Sequence, residues 1–577
     1  MKSIQQIGLI LFLMAFALFN ALMFMGKFEV TQGKLDKFTE SKGIKSEVFI
    51  EQSKELIGEY SFSLDLSEKL LTIAEASHTH HRKVITEFES TGVDKELINA
   101  EWGKVIWLKE TKKHGNFAAP LVAICGTGFV VENKGLLFSL TFLLGILGGL
   151  LHVLPRLKTE GPAGIKNDGI FQNQATNRGW IAWLVFGYLI AFYLALYFFP
   201  DVLTNMIYVL DPVSTSLNGG PASQWFLYGF MYCSFMVVMG IKMMIKYRHN
   251  KYQVIRSISV LFFQLGFAFL IPELLVRFQK PWFDFKSAWP LNYSAFDNWS
   301  IKKILGFDFF ETWDFNALIH SDTLGLFMLV WGFILTLVIV PVMVYFYGKR
   351  WYCSWVCGCG GLAETVGDPY RQHSDKSLKA WKFERVIIYS VLLFAIIMTY
   401  GSLSREQFFL GLDYEAFITI ETDDLRFWYG FAVGSIFSGV IGTGFYPIFG
   451  NRVWCRFGCP LAAYMGIIQR FKSRFRITTN GAQCISCGNC STYCEQGIDV
   501  RAYAQKGENI VRSSCVGCGI CSAVCPRGVL KLENGPEEGR ITENPIDITM
   551  ATEDEGKTSE LRKIIIGEQK NLTDFNK

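Results

Sequence analysis

Cys484-Ile-Ser-Cys487-Gly-Asn-Cys490-Ser-Thr-Tyr-Cys494 and, after twenty intervening residues, Cys515-Val-Gly-Cys518-Gly-Ile-Cys521-Ser-Ala-Val-Cys525-Pro526 decide how the chain is read. Each half has the spacing C-x2-C-x2-C-x3-C, which is the bacterial ferredoxin run for a [4Fe–4S] cluster. Tight x2 gaps aim three thiolates at three corners of one cube. The small residues Gly488, Gly517 and Gly519 let backbone N–H groups come close to the sulfurs. In two-cluster ferredoxins the fourth Cys of each run ligates the other cluster. The spacing therefore predicts Cys484, Cys487, Cys490 and Cys525 on one cluster and Cys515, Cys518, Cys521 and Cys494 on the other. Zinc takes C-x2-C pairs rather than triplets with a distant fourth ligand, so it fits this pattern poorly. In one respect the halves differ: Cys525 is followed by Pro526, but Cys494 by Glu495.

Working outward, the chain has 577 residues, too many for one compact domain. Half of them are hydrophobic, 15% aromatic and only 19% charged, the composition of a membrane protein. A net charge of +4 gives no argument for nucleic acid as a partner. The expected fold is mainly α: a polytopic helical membrane protein of about eight spans with a C-terminal α+β domain for two [4Fe–4S] clusters.

Residues 6–26 are continuously apolar and long enough to span, and read as an N-terminal anchor (domain 1–26) rather than a cleaved signal. Residues 27–134 read as an extracytoplasmic helical domain. Within it, His78-Thr79-His80-His81 could bind a metal, though clustered histidines are more often solvated. Seven further apolar stretches follow, at about 135–154, 179–199, 222–245, 256–277, 322–347, 384–402 and 426–448, making 135–460 a membrane bundle. Residues 461–480 form a basic connecting helix, 481–533 the double-cluster domain, and 534–577 a polar tail.

Loop charge orients this layout. The loop beginning Lys246-Tyr247-Arg248-His249 is strongly basic, as are 348–383 and the loop holding Arg156, Lys158, Lys166 and Arg178. Of the opposite loops, 200–221 has no Lys or Arg and 403–425 is acidic. The positive-inside rule then predicts a bacterial inner membrane protein with the cluster domain in the cytoplasm and 27–134 outside. Thiolates on iron also suit a reducing side. The loop 278–321 strains the rule, with Lys280, Lys286, Lys302 and Lys303 outside. Its Trp282, Trp289, Trp299 and Trp313 suggest a fold along the interface.

A second set of thiols lies at the cytoplasmic ends of two spans. Trp351-Tyr352-Cys353-x3-Cys357-Gly-Cys359 and Trp454-Cys455-x3-Cys459-Pro460 each place C-x3-C behind aromatic residues. Cys353, Cys357, Cys455 and Cys459 could form a third metal or iron–sulfur site, make reversible disulfides, or be buried structural cysteines. Cys125 and Cys233 read as ordinary apolar residues. His152 and His320 fall at opposite membrane depths, so no haem b is expected. Gln264, Glu273 and Arg277 are candidates for contact with a quinone.

With both thiol sets in place, the chain resembles the polytopic membrane polyferredoxins, the NapH/NosR/CcoG-like 4Fe-4S proteins. The likeness covers about 320–530 and includes Gly497-Ile498-Asp499-Val500-Arg501; Gly358 stands where the second C-x3-C motif has Pro460. It implies electron transport tied to anaerobic respiration or to maturation of an extracytoplasmic metalloenzyme, with redox protein partners. NosR-like proteins carry covalent FMN on a threonine, but 27–134 shows no such attachment motif, so none is expected. The leading expectation is an electron-transfer protein taking electrons from a quinol or a soluble donor. The alternative is an assembly or regulatory factor without steady turnover. An ion pump ranks last, because the spans hold few carboxylates.

Overall fold

The computed structural model describes residues 2–44, 46–91, 96–101, 104, 117–278, 331–403, 407–409, 419–421 and 430–534. The loop 278–321 beyond its first residue, His320, most of 403–425 and the tail after Asn534 lie outside the described residues. Among the described residues, five helices are long and apolar enough to cross a membrane: Lys2–Phe24, Lys134–Lys158, Trp180–Phe198, Gln224–Lys246 and Lys251–Arg277. Two shorter apolar helices, Trp331–Tyr347 and Gly430–Gly444, border undescribed residues. The helix Leu378–Leu403 carries the apolar stretch expected at 384–402.

The first two helices cross at glycine. A Cβ on Gly8 would meet the backbone of His152 at 2.6 Å, and one on Gly148 the backbone of Phe12 at 2.6 Å. Small residues at a crossing let two backbones touch, which is how helices associate where lipid removes the hydrophobic drive.

Residues 27–134 are not purely helical. Lys27–Val30 pairs antiparallel with Gly58–Tyr60 on one side and Gly126–Thr127 on the other. The period-two burial of Lys27–Val30, alternately exposed and buried, explains the strand. Helices Gln32–Ser41, Glu47–Ser53, Ser63–Thr91 and Ala118–Cys125 cover this small sheet around Phe28, Phe38, Phe49, Leu66, Leu121 and Cys125. The unit rests on the 200–221 loop, where the Tyr208 hydroxyl donates to Val122 O and Ala123 O at 3.1 and 2.9 Å. His81 is buried rather than solvated: its ring meets Ser46 Oγ at 2.7 Å and Glu101 Oε2 at 2.6 Å. It closes a hydrogen-bonded core, which leaves it committed to structure rather than to a metal.

At the other end, the expected connecting helix stops at Lys472. Arg476–Thr479 is instead a strand, paired antiparallel with Leu530–Glu533, so the cluster domain begins and ends on one ribbon. Between these strands lie two matching short helices, Asn489–Thr492 and Ile520–Ala523. Each follows a left-handed glycine, Gly488 (φ 79°) and Gly519 (φ 71°).

Candidate iron–sulfur sites

The two ribbon-bounded runs fold so that each leaves a hollow for thiols. One hollow is lined by Cys484, Cys487, Cys490 and Cys525, together with Arg501 and Pro526. The other is lined by Cys515, Cys518, Cys521 and Cys494, with Val516 and Ile510. Burial pushes the Cys490 thiol up to about 12 and Cys515 up to about 11, and lifts Cys521 well above the usual range. A cation sharing the hollow would favour their ionised form. Four soft sulfurs converging on one space is the donor set that an iron–sulfur cluster needs. The residues present therefore fit the group. Backbone N–H groups already point at sulfur, as from Ile498 to Cys494 Sγ at 3.4 Å.

The hollows sit at different depths. The first faces outward: Cys487 is exposed and Ile485 is 55% exposed beside it. Its run is tied to the loop after the second span, where Asn489 donates to Gly164 O at 3.3 Å and the Tyr493 hydroxyl to Asp168 Oδ2 at 2.5 Å. The second lies against the membrane bundle. The Tyr252 hydroxyl donates to Gly517 O at 3.0 Å, Ser354 to Val516 O at 3.1 Å, and Gln253 Nε2 to Cys518 O at 2.9 Å. Gly517 (φ +64°) permits this contact, since a Cβ there would stand 2.6 Å from the Arg350 Cβ.

Directly beneath is the second thiol set. Cys353 ends the short helix Arg350–Cys353, and Cys357 precedes the helix Gly358–Glu364, which contains Cys359. Cys455 lies in the π-helical turn Trp454–Gly458, a distortion common at functional sites. Cys459 caps the helix Pro460–Lys472, accepting from Ala462 N at 3.4 Å. Cys353, Cys455 and Cys459 are buried in one cluster with Trp351, Trp454 and Val516, and Cys357, Cys359 and Cys518 pack against it. Burial raises the Cys459 thiol well above its usual range, and Cys455, Cys353 and Cys357 raise it further. The two C-x3-C motifs, about a hundred residues apart in sequence, thus converge.

The three candidate quinone-contact residues do not converge. Gln264 donates to Val356 O and accepts from the Tyr232 hydroxyl at 2.9 Å, beside the C-x3-C segment. Glu273 accepts from Asn218 at 2.9 Å, and Arg277 donates to Ser216 O at 2.5 Å, both at the far end of the helix. His152 holds Gln5 O through Nδ1 at 3.0 Å.

Sequence reasoning missed a buried ionic network between the thiol sets. Glu364 and Glu495 are 2% and 1% exposed, and Arg256, Arg371 and Arg452 1% each. Glu364 pairs with all three arginines at 2.5–2.7 Å. Glu495 pairs with Arg371 at 2.5 Å and Arg452 at 2.9 Å. Burial alone would raise the Glu495 carboxyl, but Arg452 and Arg371 outweigh it and hold it at about 2. Asp368 is held below the usual carboxylate range despite its burial, by Lys246 and Arg371. The one sequence signal was Glu495 itself, standing where the other run has Pro526.

Comparisons with known proteins agree with this architecture. The 4Fe-4S binding domain family matches residues 330–377 and 429–478, one C-x3-C motif in each, and the 4Fe-4S dicluster domain family matches 476–526. YccM of Escherichia coli is 27% identical over 26% of this chain and 43% of its own length. The methylamine utilization ferredoxin-type protein MauN of Methylobacillus flagellatus is 27% identical over 28% of this chain and 53% of its own. The regulatory protein NosR of Stutzerimonas stutzeri is 26% identical over 30% and 22% respectively. The chain thus spans about half or less of the length of these curated relatives. No solved structure matches it. The chain thus carries 4Fe-4S domains beside its apolar helices, and over 26–30% of its length it is similar to YccM, NirI, NosR and MauN.

Proposed function

We propose that this protein sits in a bacterial cytoplasmic membrane and passes single electrons between a quinol or soluble donor and a redox partner. That partner would serve respiration or the maturation of an extracytoplasmic metalloenzyme. Cys484, Cys487, Cys490 and Cys525 hold one [4Fe–4S] cluster, and Cys515, Cys518, Cys521 and Cys494 hold the other. Each cluster supplies one-electron chemistry; the protein's part is to position and tune it. The observation that carries this reading is the pair of hollows, each lined by four thiols drawn crosswise from the two runs. The exposed Cys487 suits contact with a soluble partner, and the Cys515–Cys518 loop suits exchange toward the membrane.

The remaining elements extend this picture. Trp331–Tyr347, Leu378–Leu403 and Gly430–Gly444 complete about eight spans with the five long helices. The basic loops then place the cluster domain in the cytoplasm and the sheet-containing unit outside. Cys353, Cys357, Cys455 and Cys459 form a third iron–sulfur or metal site at the membrane edge. Their convergence in one buried cluster supports this over a role as unrelated core residues.

Anaerobic purification with iron and labile-sulfide assays tests the reading. Two clusters give about eight irons and three give about twelve, at four each. About one zinc with no sulfide overturns it. Cys353→Ala and Cys455→Ala should lower iron and remove one EPR signal while the ferredoxin pair persists; unchanged spectra would eliminate the third site. The likeness to the regulatory protein NosR favours a second reading, a factor for assembly or regulation. In that case a deletion strain keeps normal respiratory flux but accumulates an apo-metalloenzyme.

A further inference from the structure

Between the two thiol sets lies one continuous path of charge. Arg452 Nη1 donates to Cys353 O at 3.1 Å and lies 3.8 Å from Cys455 Sγ. Its Nη2 pairs with Glu364 Oε1 at 2.5 Å. The other oxygen of the same carboxylate, Glu364 Oε2, pairs with Arg256 Nη2 at 2.6 Å. Arg256 Nη1 donates to Cys518 O at 2.9 Å. A single carboxylate thus holds two guanidiniums, each touching a different thiol site. Arg371 and Glu495 brace the same cluster from the side.

The arrangement is more than a structural plug. Lys246, Arg256, Arg371 and Arg452 face Asp168, Asp368, Glu364 and Glu495, so the charges of this network balance four against four. Arg452 and Arg256 contact the two cysteine-bearing segments, and carboxylate oxygens of Glu364 and Glu495 lie within 4.8 Å of Cys518 Sγ. A charge buried away from water is weakly screened, so a carboxylate shared by two sites acts on both. From this geometry we infer that Glu364 is a positioning residue that sets the potentials of the membrane-edge site and the Cys515/Cys518/Cys521/Cys494 site together. It does so by fixing Arg452 on one and Arg256 on the other. The inference rests on the third-site reading above.

Removing the carboxylate takes away a negative charge near both sites and makes each easier to reduce. In Glu364→Gln, EPR-monitored redox titration should show both midpoint potentials moving upward. Glu364→Asp, which keeps the charge, should restore them at least in part. In the double variant Glu364→Gln/Arg256→Gln one charge of each sign is lost, so both upward shifts should shrink relative to Glu364→Gln, and more so at the inner ferredoxin site, which Arg256 touches through Cys518 O. A purely structural role predicts lost iron or altered line shapes, not shifts that follow the sign of the charge removed. Asp211→Asn is the charge-matched control, because Asp211 pairs with Lys134 at the opposite end of the bundle. If Glu364→Gln fails to assemble, Arg256→Gln carries the test: losing a cation should lower both potentials, the inner one more, and unchanged potentials overturn the inference. Wild-type protein with about eight irons and no other bound metal sinks the third-site reading itself. With about twelve irons, potentials that stay put in Glu364→Gln, or that rise as far in the double variant as in Glu364→Gln, overturn the inference.

Discussion

Glu495 follows Cys494 of the first ferredoxin run, and yet its carboxylate lies in the ionic network beside the C-x3-C thiols, closing on Arg371 and Arg452 at 1% exposure. Removing one partner of a buried ion pair leaves the others uncompensated and costs about 3–5 kcal/mol. Glu495→Ala should therefore lower thermal stability in detergent by that order. Glu495→Pro, which restores the usual residue after the cysteine, should be no better. His373 gives the pH dependence at this scale. Burial, followed by Arg178, lowers its pKa to about 4, so the folded protein keeps the ring neutral. Its folded pKa is below its ordinary value of 6.5, so the unfolded chain binds the proton first. The stabilising contribution is complete above about pH 6.5 and is lost as pH falls toward 4. Stability measured from pH 7 to 4.5 should fall less steeply in His373→Gln than in the native protein. The thiols were legible one by one from spacing, whereas Glu364, Arg256, Arg371 and Arg452 were not. An isolated charge in a loop carries no mark of a partner a hundred residues away.

At the scale of elements, the helix pair Lys2–Ala21 and Leu144–Val153 meets at Gly8 and Gly148. A Cβ on Gly145 would lie 3.5 Å from the Ala15 Cβ, within disulfide range. Ala15→Cys/Gly145→Cys should cross-link readily on oxidation. Adding Gly148→Leu should abolish the cross-link by pushing the helices apart, with iron content unchanged; a cross-link that survives would show that the crossing does not depend on Gly148. Apolar runs announced these helices, but the partner of each was set by which glycines face each other. The same limit explains the outer unit. The Lys/Glu-rich composition of 27–134 suggested helices alone, and the four-residue strand Lys27–Val30 was too short to stand out. It becomes a strand because Gly58–Tyr60 and Gly126–Thr127 arrive on both sides to take its hydrogen bonds. At the other end, Arg476–Thr479 looked like the end of a basic helix until Leu530–Glu533 came to pair with it.

For the whole molecule, the proposed orientation rests on loop charge. Basic loops flank the cluster domain, and the unit around Phe28 and Phe49 lies beyond the loop 200–221. In intact cells a membrane-impermeant maleimide should label Glu47→Cys, whereas Gln505→Cys should react only after lysis; both side chains are exposed. Labelling of Gln505→Cys in intact cells would reverse the proposed topology. The same organisation orders the thiol sets by depth. The Cys487 hollow faces out, the Cys518 hollow lies on the bundle, and the C-x3-C thiols sit beneath it.

Local spacing by itself determined the ferredoxin runs, the apolar helices and the presence of a second thiol set, because covalent spacing and hydropathy are written along the chain. Only the tertiary structure decided that Cys353 and Cys455 meet in one buried cluster, and that Val516 and Cys518 rest on it. It alone placed Glu364 between Arg256 and Arg452. These contacts join segments far apart in sequence. They form because burying so many charges is tolerable only when each finds its opposite within hydrogen-bonding reach.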